Sequence, residues 1–210
     1  MQGCLNVGRD ALYRQGNNVI EIMEGPTLTR CNVTAIVMAW AAVTHNFDLW
    51  QNPFGGSYRG WQPEDLVDLY FHDEKLWEYF REVRRRTSND IKLCHGQPHN
   101  GMWPPEQIPQ LHQLPLREIF GCGSDFSYSA SFSHVAGETA RGTSCILRLK
   151  DPGHFITANG YDVNKMTISF KDPAPVPWLQ ETEDANGNKY MTAQNFKDNI
   201  HTDITRCWRE

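Results

Sequence analysis

Cys31 opens the apolar stretch Cys31-Asn32-Val33-Thr34-Ala35-Ile36-Val37-Met38. Much further along, His154 stands in Pro152-Gly153-His154-Phe155-Ile156, and Asp172 follows in Phe170-Lys171-Asp172-Pro173. A thiol, an imidazole and a carboxylate in that order can act as nucleophile, base and orienting acid in acyl chemistry. The attacking species is the thiolate, and a free thiol ionises only near pH ~8.5. An anion at a helix N-terminus gains roughly 0.3–1 kcal/mol. The larger share is therefore expected from a His154 imidazolium, with Asp172 orienting the ring. Taken singly, each residue has an ordinary reading. Cysteine is often plain core, a strand histidine is often structural, and Asp-Pro often starts a turn. Jointly, and in this order, they favour catalysis.

Three elements must position these groups. Residues 31–45 read as a helix apolar almost all round, the mark of burial on most faces. Ser144–Lys150, His154–Tyr161 and Met166–Asp172 read as strands separated by turn-forming triplets, an antiparallel meander. With Asp162-Val163-Asn164 as a three-residue loop, Tyr161 pairs with Lys165 and His154 lies directly opposite Asp172. Opposed Cβ atoms stand about 4.5–5.5 Å apart, close enough for an imidazole and a carboxylate to meet.

The remaining elements are coarser. Val19-Ile20-Glu21-Ile22 reads as a strand, and residues 46–62 as a loop. A helix is expected from Pro63, with Glu64 and Asp65 at its positive end and a break near His72-Asp73. Pro98, Pro104, Pro105, Pro109 and Pro115 make 95–115 an irregular surface insertion. Residues 133–141 read as a helix stopped by Gly142. Residues 173–189 read as loop with a turn at Asn186-Gly187, and Thr192 caps a helix over Ala193–Ile200. Helices first and sheet later give an α+β class for one domain over 1–210.

Composition narrows the function classes. The 210 residues carry a net charge of −5, with 40% hydrophobic and 21% charged residues, as in a globular chain. A pI near 5.9 argues against a nucleic-acid partner. The one basic cluster, Arg84-Arg85-Arg86, suits a helix C-terminus. The longest apolar run, 35–43, falls far short of the roughly 18 residues of a membrane helix, so no membrane insertion is expected. The first residues lack a secretion-signal pattern, so synthesis in a cytosol is expected. The six cysteines show no disulfide framework.

These stretches resemble the C39-like, bacteriocin-processing-type peptidase family of the papain-like superfamily. The nucleophile helix of that family is similar to Thr29-Arg30-Cys31-Asn32-Val33-Thr34-Ala35-Ile36. The strand before its histidine is similar to Arg141-Gly142-Thr143-Ser144-Cys145-Ile146. Its histidine hairpin and Asp-Pro end are similar to 153–162 and 171–174, and Gln62-Pro63-Glu64-Asp65-Leu66 resembles phage-encoded members. The resemblance implies a papain-like α+β fold, its N-terminal nucleophile helix packed on a C-terminal antiparallel sheet. It implies hydrolysis of a peptide or amide bond by Cys31, His154 and Asp172, without cofactor or metal. The family's oxyanion glutamine has no match at short spacing, where Glu24 and Gly25 stand. Gln15 matches it if 19–30 form an inserted loop. The expected substrate is a peptide or peptidoglycan, as for a phage lysis enzyme or tail-associated hydrolase reaching the cell wall after release or within a virion. Trp50, Trp61, Trp103 and Trp178 fall in expected loops and suit a cleft lining or plain anchoring.

Other readings stay open on the residues alone. Cys94, His95, His99 and Cys122 are metal-ligand types, but Gly96 and Pro98 break helical spacing and the zinc pattern is absent. A non-catalytic binding or structural protein on the same fold, a peptidase of protein substrates, and an acyltransferase with the same triad are also compatible.

Overall fold

The computed structural model describes residues 31–44, 63–72, 112–150, 153–173 and 184–210. The elements are α1 (Cys31–Thr44), α2 (Pro63–His72), α3 (Gln113–Glu118), β1 (Gly123–Ser127), α4 (Phe132–Ala140) and β2 (Ser144–Leu149). They continue as β3 (Phe155–Asp162), β4 (Thr167–Lys171), β5 (Lys189–Thr192), α5 (Ala193–Asn199) and β6 (Ile200–Trp208). The six strands form one antiparallel sheet in the order β1-β6-β2-β3-β4-β5. The class is α+β, as the sequence leads one to expect. Among the described residues no helix is long and apolar enough to cross a membrane.

Strand alternation divides the core in two. Ile146 and Phe155 join Val33, Ile36, Leu66, Tyr70 and Leu116, so α1, α2 and α3 cover one face. Cys145, Leu147, Ile156 and Ala158 join Val135, Ala136 and Phe196 on the other, under α4 and α5. Helix α1 is buried from Cys31 to Val43, as its all-round apolar pattern requires. Thr157 Oγ1 on β3 donates to Ala35 O at 3.0 Å and clamps the start of α1 to that strand. Helix α4 is capped by Ser131, which accepts from His134 N at 3.2 Å. It is stopped by Gly142 at φ 89°, where only glycine is unstrained.

Three expectations need correction. The proline-rich insertion ends in a helix, because Pro115 lies in the first turn of α3, where its missing N–H has no helical acceptor. The rest of that segment lies outside the described residues, as do the expected strand at 19–22 and the 84–86 cluster. The last helix ends at Asn199, and Ile200–Trp208 runs on as β6 between β1 and β2.

The third correction is the β3–β4 register. Asp162 pairs with Thr167, so the turn is Val163–Met166 rather than Asp162–Asn164. Asp162 Oδ1 accepts from Asn164 N at 2.9 Å and Lys165 N at 3.2 Å, and Met166 takes φ 54°. A β-bulge then falls at Asn159, between the pairs Ala158↔Phe170 and Gly160↔Ser169. His154 is therefore not directly opposite Asp172. One step beyond the last pair, Thr157↔Lys171, Asp172 falls opposite Ile156, diagonal to His154 and on its side of the sheet. Without the bulge Asp172 would face Thr157 and point to the other side, since a one-residue slip reverses every side chain.

Candidate active site

Cys31 is the first residue of α1, where backbone N–H groups lack intrahelical acceptors. His154 immediately precedes β3, and Asp172 immediately follows β4. His154 Nε2 donates to Asp172 Oδ1 at 2.7 Å. Cys31 hydrogen-bonds the same ring, and with Nε2 engaged the nitrogen left for sulfur is Nδ1. Cys31 is 5% exposed, His154 8% and Asp172 0%, so the contacts are nearly dry. The three residues singled out in the sequence thus meet, although the register that joins two of them differs from the expected one.

The electrostatics follow from this packing. Burial alone pushes the His154 imidazole down; hydrogen bonds to Asp172 and Cys31, with the electrostatic pull of the same two groups, overcome it and raise the pKa to about 9. Burial pushes the Asp172 carboxyl up, but the His154 hydrogen bond and charge, with Lys189, hold it below the usual carboxylate range. His112 provides the contrast. It is buried against the edge of Phe155, 4.8 Å between ring centroids, and burial with the Arg148 charge lowers it to about 3. Burial therefore makes one histidine neutral, whereas its hydrogen-bond partners, Asp172 first among them, keep the other charged. Burial also pushes the Cys145 and Cys207 thiols up, leaving them protonated.

The raised His154 pKa links the site to stability. An unfolded histidine titrates near 6.5 and this one near 9, so between those values the folded chain holds more protons. The stabilisation is whole below pH 6.5 and is lost as pH rises through about 9. Denaturant unfolding across that range is expected to show a decline in the parent chain that His154→Gln lacks. Asp172 sets the opposite edge: its contribution stands above the unfolded value of 3.8 and is lost as pH falls through the lower folded value.

Two features were not visible in the sequence. Lys189, the first residue of β5, places Nζ 3.1 Å from Asp172 Oδ2 and is 4% exposed. Nothing in its type or spacing separates it from a surface lysine. Asn32, beside the nucleophile, is fully buried, and its amide atoms find no hydrogen-bond partner among the described residues. Gln15 and the four loop tryptophans lie outside the described residues, as do Cys94, His95 and His99. Cys122 is buried beside Cys207. Among the described residues no group of three or more His, Cys, Asp or Glu side chains could hold a metal ion.

No protein-family profile matches this chain, and no curated protein matches it.

Proposed function

We propose that this chain is a papain-like cysteine hydrolase of the C39-like type, cutting peptide or amide bonds in bacterial peptidoglycan stem peptides. The observation that carries the reading is a buried imidazole, charged up to about 9, held between a helix-start thiol and a buried carboxylate. That is the charge state a stored thiolate requires.

The nucleophile, the proton carrier and the orienting acid are Cys31, His154 and Asp172, and Gln15 is carried over from the family resemblance. The Cys31 thiolate attacks the scissile carbonyl carbon, and the carbonyl electron pair moves to oxygen. The Cys31 backbone N–H at the start of α1, with Gln15, donates to that oxyanion. As the tetrahedral adduct collapses, the proton on His154 Nδ1 passes to the departing amine and a thioester remains. Neutral His154 then takes a proton from water, whose oxygen attacks the thioester. Collapse releases the acid and restores thiolate and imidazolium. Asp172 holds the ring through Nε2 throughout.

The peptidoglycan substrate rests on the resemblance of the cysteine, histidine and Asp-Pro stretches to that family, including its phage-encoded lysis and tail-associated enzymes. Purified sacculi incubated with the protein are expected to release stem-peptide fragments whose masses show water added across one amide bond. His154→Ala is expected to release none. Unaltered sacculi, with a protein substrate cut instead, would overturn the substrate class.

A further inference from the structure

Asp172 holds two buried partners at once. His154 takes Oδ1 at 2.7 Å, while the Lys189 ammonium sits 3.1 Å from Oδ2. A lysine stem normally carries its charge to water; this one ends on a carboxylate with no exposure of its own.

The segment leading into Lys189 is built to deliver it there. Asp184 accepts from Asn186 N at 2.8 Å, Asn188 N at 2.9 Å and Tyr190 Oη at 2.7 Å. Lys171 Nζ donates to Asn186 O at 2.5 Å, tying the same turn to β4. Lys189 pairs with Phe170 across the sheet, which sets it on the side of β4 that Asp172 shares. His154, Asp172 and Lys189 then lie in a row of alternating sign, with Cys31 at its His154 end.

We propose that Lys189 is a positioning residue of this site, orienting the Asp172 carboxylate and balancing its charge so that the Cys31–His154 pair bears no surplus negative charge. The proposal rests on the cysteine-hydrolase reading. Among the described residues, Cys31 and Asp172 act on the His154 charge, and His154 and Lys189 are among the groups that act on Asp172. Lys171, the chain neighbour of Asp172, is directed to the Asn186 carbonyl. Removing the Lys189 charge leaves the row one unit more negative. Extra negative charge makes every proton of the coupled pair harder to lose, so the pH range of the reactive form moves upward.

The test is the rate of Cys31 alkylation by iodoacetamide as a function of pH, read by peptide mass mapping so that other thiols do not contribute. The parent chain is expected to alkylate on an acid limb well below that of a free thiol. In Lys189→Gln that limb is expected to move upward, giving about tenfold slower alkylation at a fixed pH on the limb. Lys189→Arg is expected to restore the parental limb. A folded Lys189→Gln whose limb is unmoved, whatever its absolute rate, overturns the proposal. Should Lys189→Gln fail to fold, Asp172→Asn is compared with the Asp172→Asn, Lys189→Gln double variant. Equal limbs are expected there, because Lys189 acts through the carboxylate that Asp172→Asn removes, and a limb that still moves upward in the double variant overturns the assignment. Parental Cys31 alkylating as an ordinary thiol overturns the hydrolase reading itself, an outcome distinct from a parental acid limb that Lys189→Gln leaves in place.

Discussion

Cys31→Ala is expected to lower turnover of sacculi on the order of 10⁶-fold, as loss of a triad nucleophile does elsewhere. Among the described residues, the Cys145 and Cys207 thiols cannot replace the sulfur. Both belong to the sheet core and are held protonated by burial. The substitution removes one small buried atom at the start of α1, so the fold is expected to persist, as circular dichroism and a melting curve will show. It also removes one of the two groups that support the His154 proton. The decline of stability toward alkaline pH is therefore expected to begin at lower pH in this variant. Undiminished turnover would refute Cys31 as the nucleophile.

Asp172→Asn is expected to cost about 10⁴-fold in kcat while leaving the fold in place. The asparagine side chain fills nearly the same volume, but an Nδ2 amide turned toward His154 reverses the hydrogen bond. Nε2 must then accept, and the one proton of the neutral ring resides on Nδ1, facing sulfur. A ring in that tautomer cannot take the thiol proton. Loss of the carboxylate also removes the main support for the imidazolium, so the alkaline edge of His154 is expected to fall below about 9. Single-turnover rates across pH, beside a structural check, test both parts. Near-parental rates would show that Asp172 neither orients nor supports the ring.

The legible parts of this fold are those whose signal is local. The all-round apolar run of α1, the Gly142 stop of α4 and the apolar strands β2, β3 and β4 announce themselves within a few residues. So do the types and order of Cys31, His154 and Asp172. The illegible parts depend on distant partners. Gly123-Ser124-Asp125-Phe126-Ser127 is poor in strand-forming types, yet forms β1 because β6 pairs with it. Gly123 lies against the Trp208 indole, where any Cβ would collide with the ring. In β6 the alternation is blurred by Arg206, which reaches Asp125 on β1 and Glu138 on α4. The hairpin register depended on a turn length that the composition of 162–166 does not decide. Lys189 was invisible because a lysine is recognised as buried only once its carboxylate is located.

The bulge at Asn159 gives the site a dependence on parity. Asn159 is 2% exposed and its amide atoms find no partner among the described residues, so its side chain adds little to the sheet. What it contributes is one extra step in the backbone count between the turn and the ring. Loss of that single codon would leave Cys31, His154 and Asp172 unchanged and the strands able to pair. It would nevertheless turn the acid to the opposite surface from its imidazole, and a lineage could extinguish the chemistry without touching any residue that performs it.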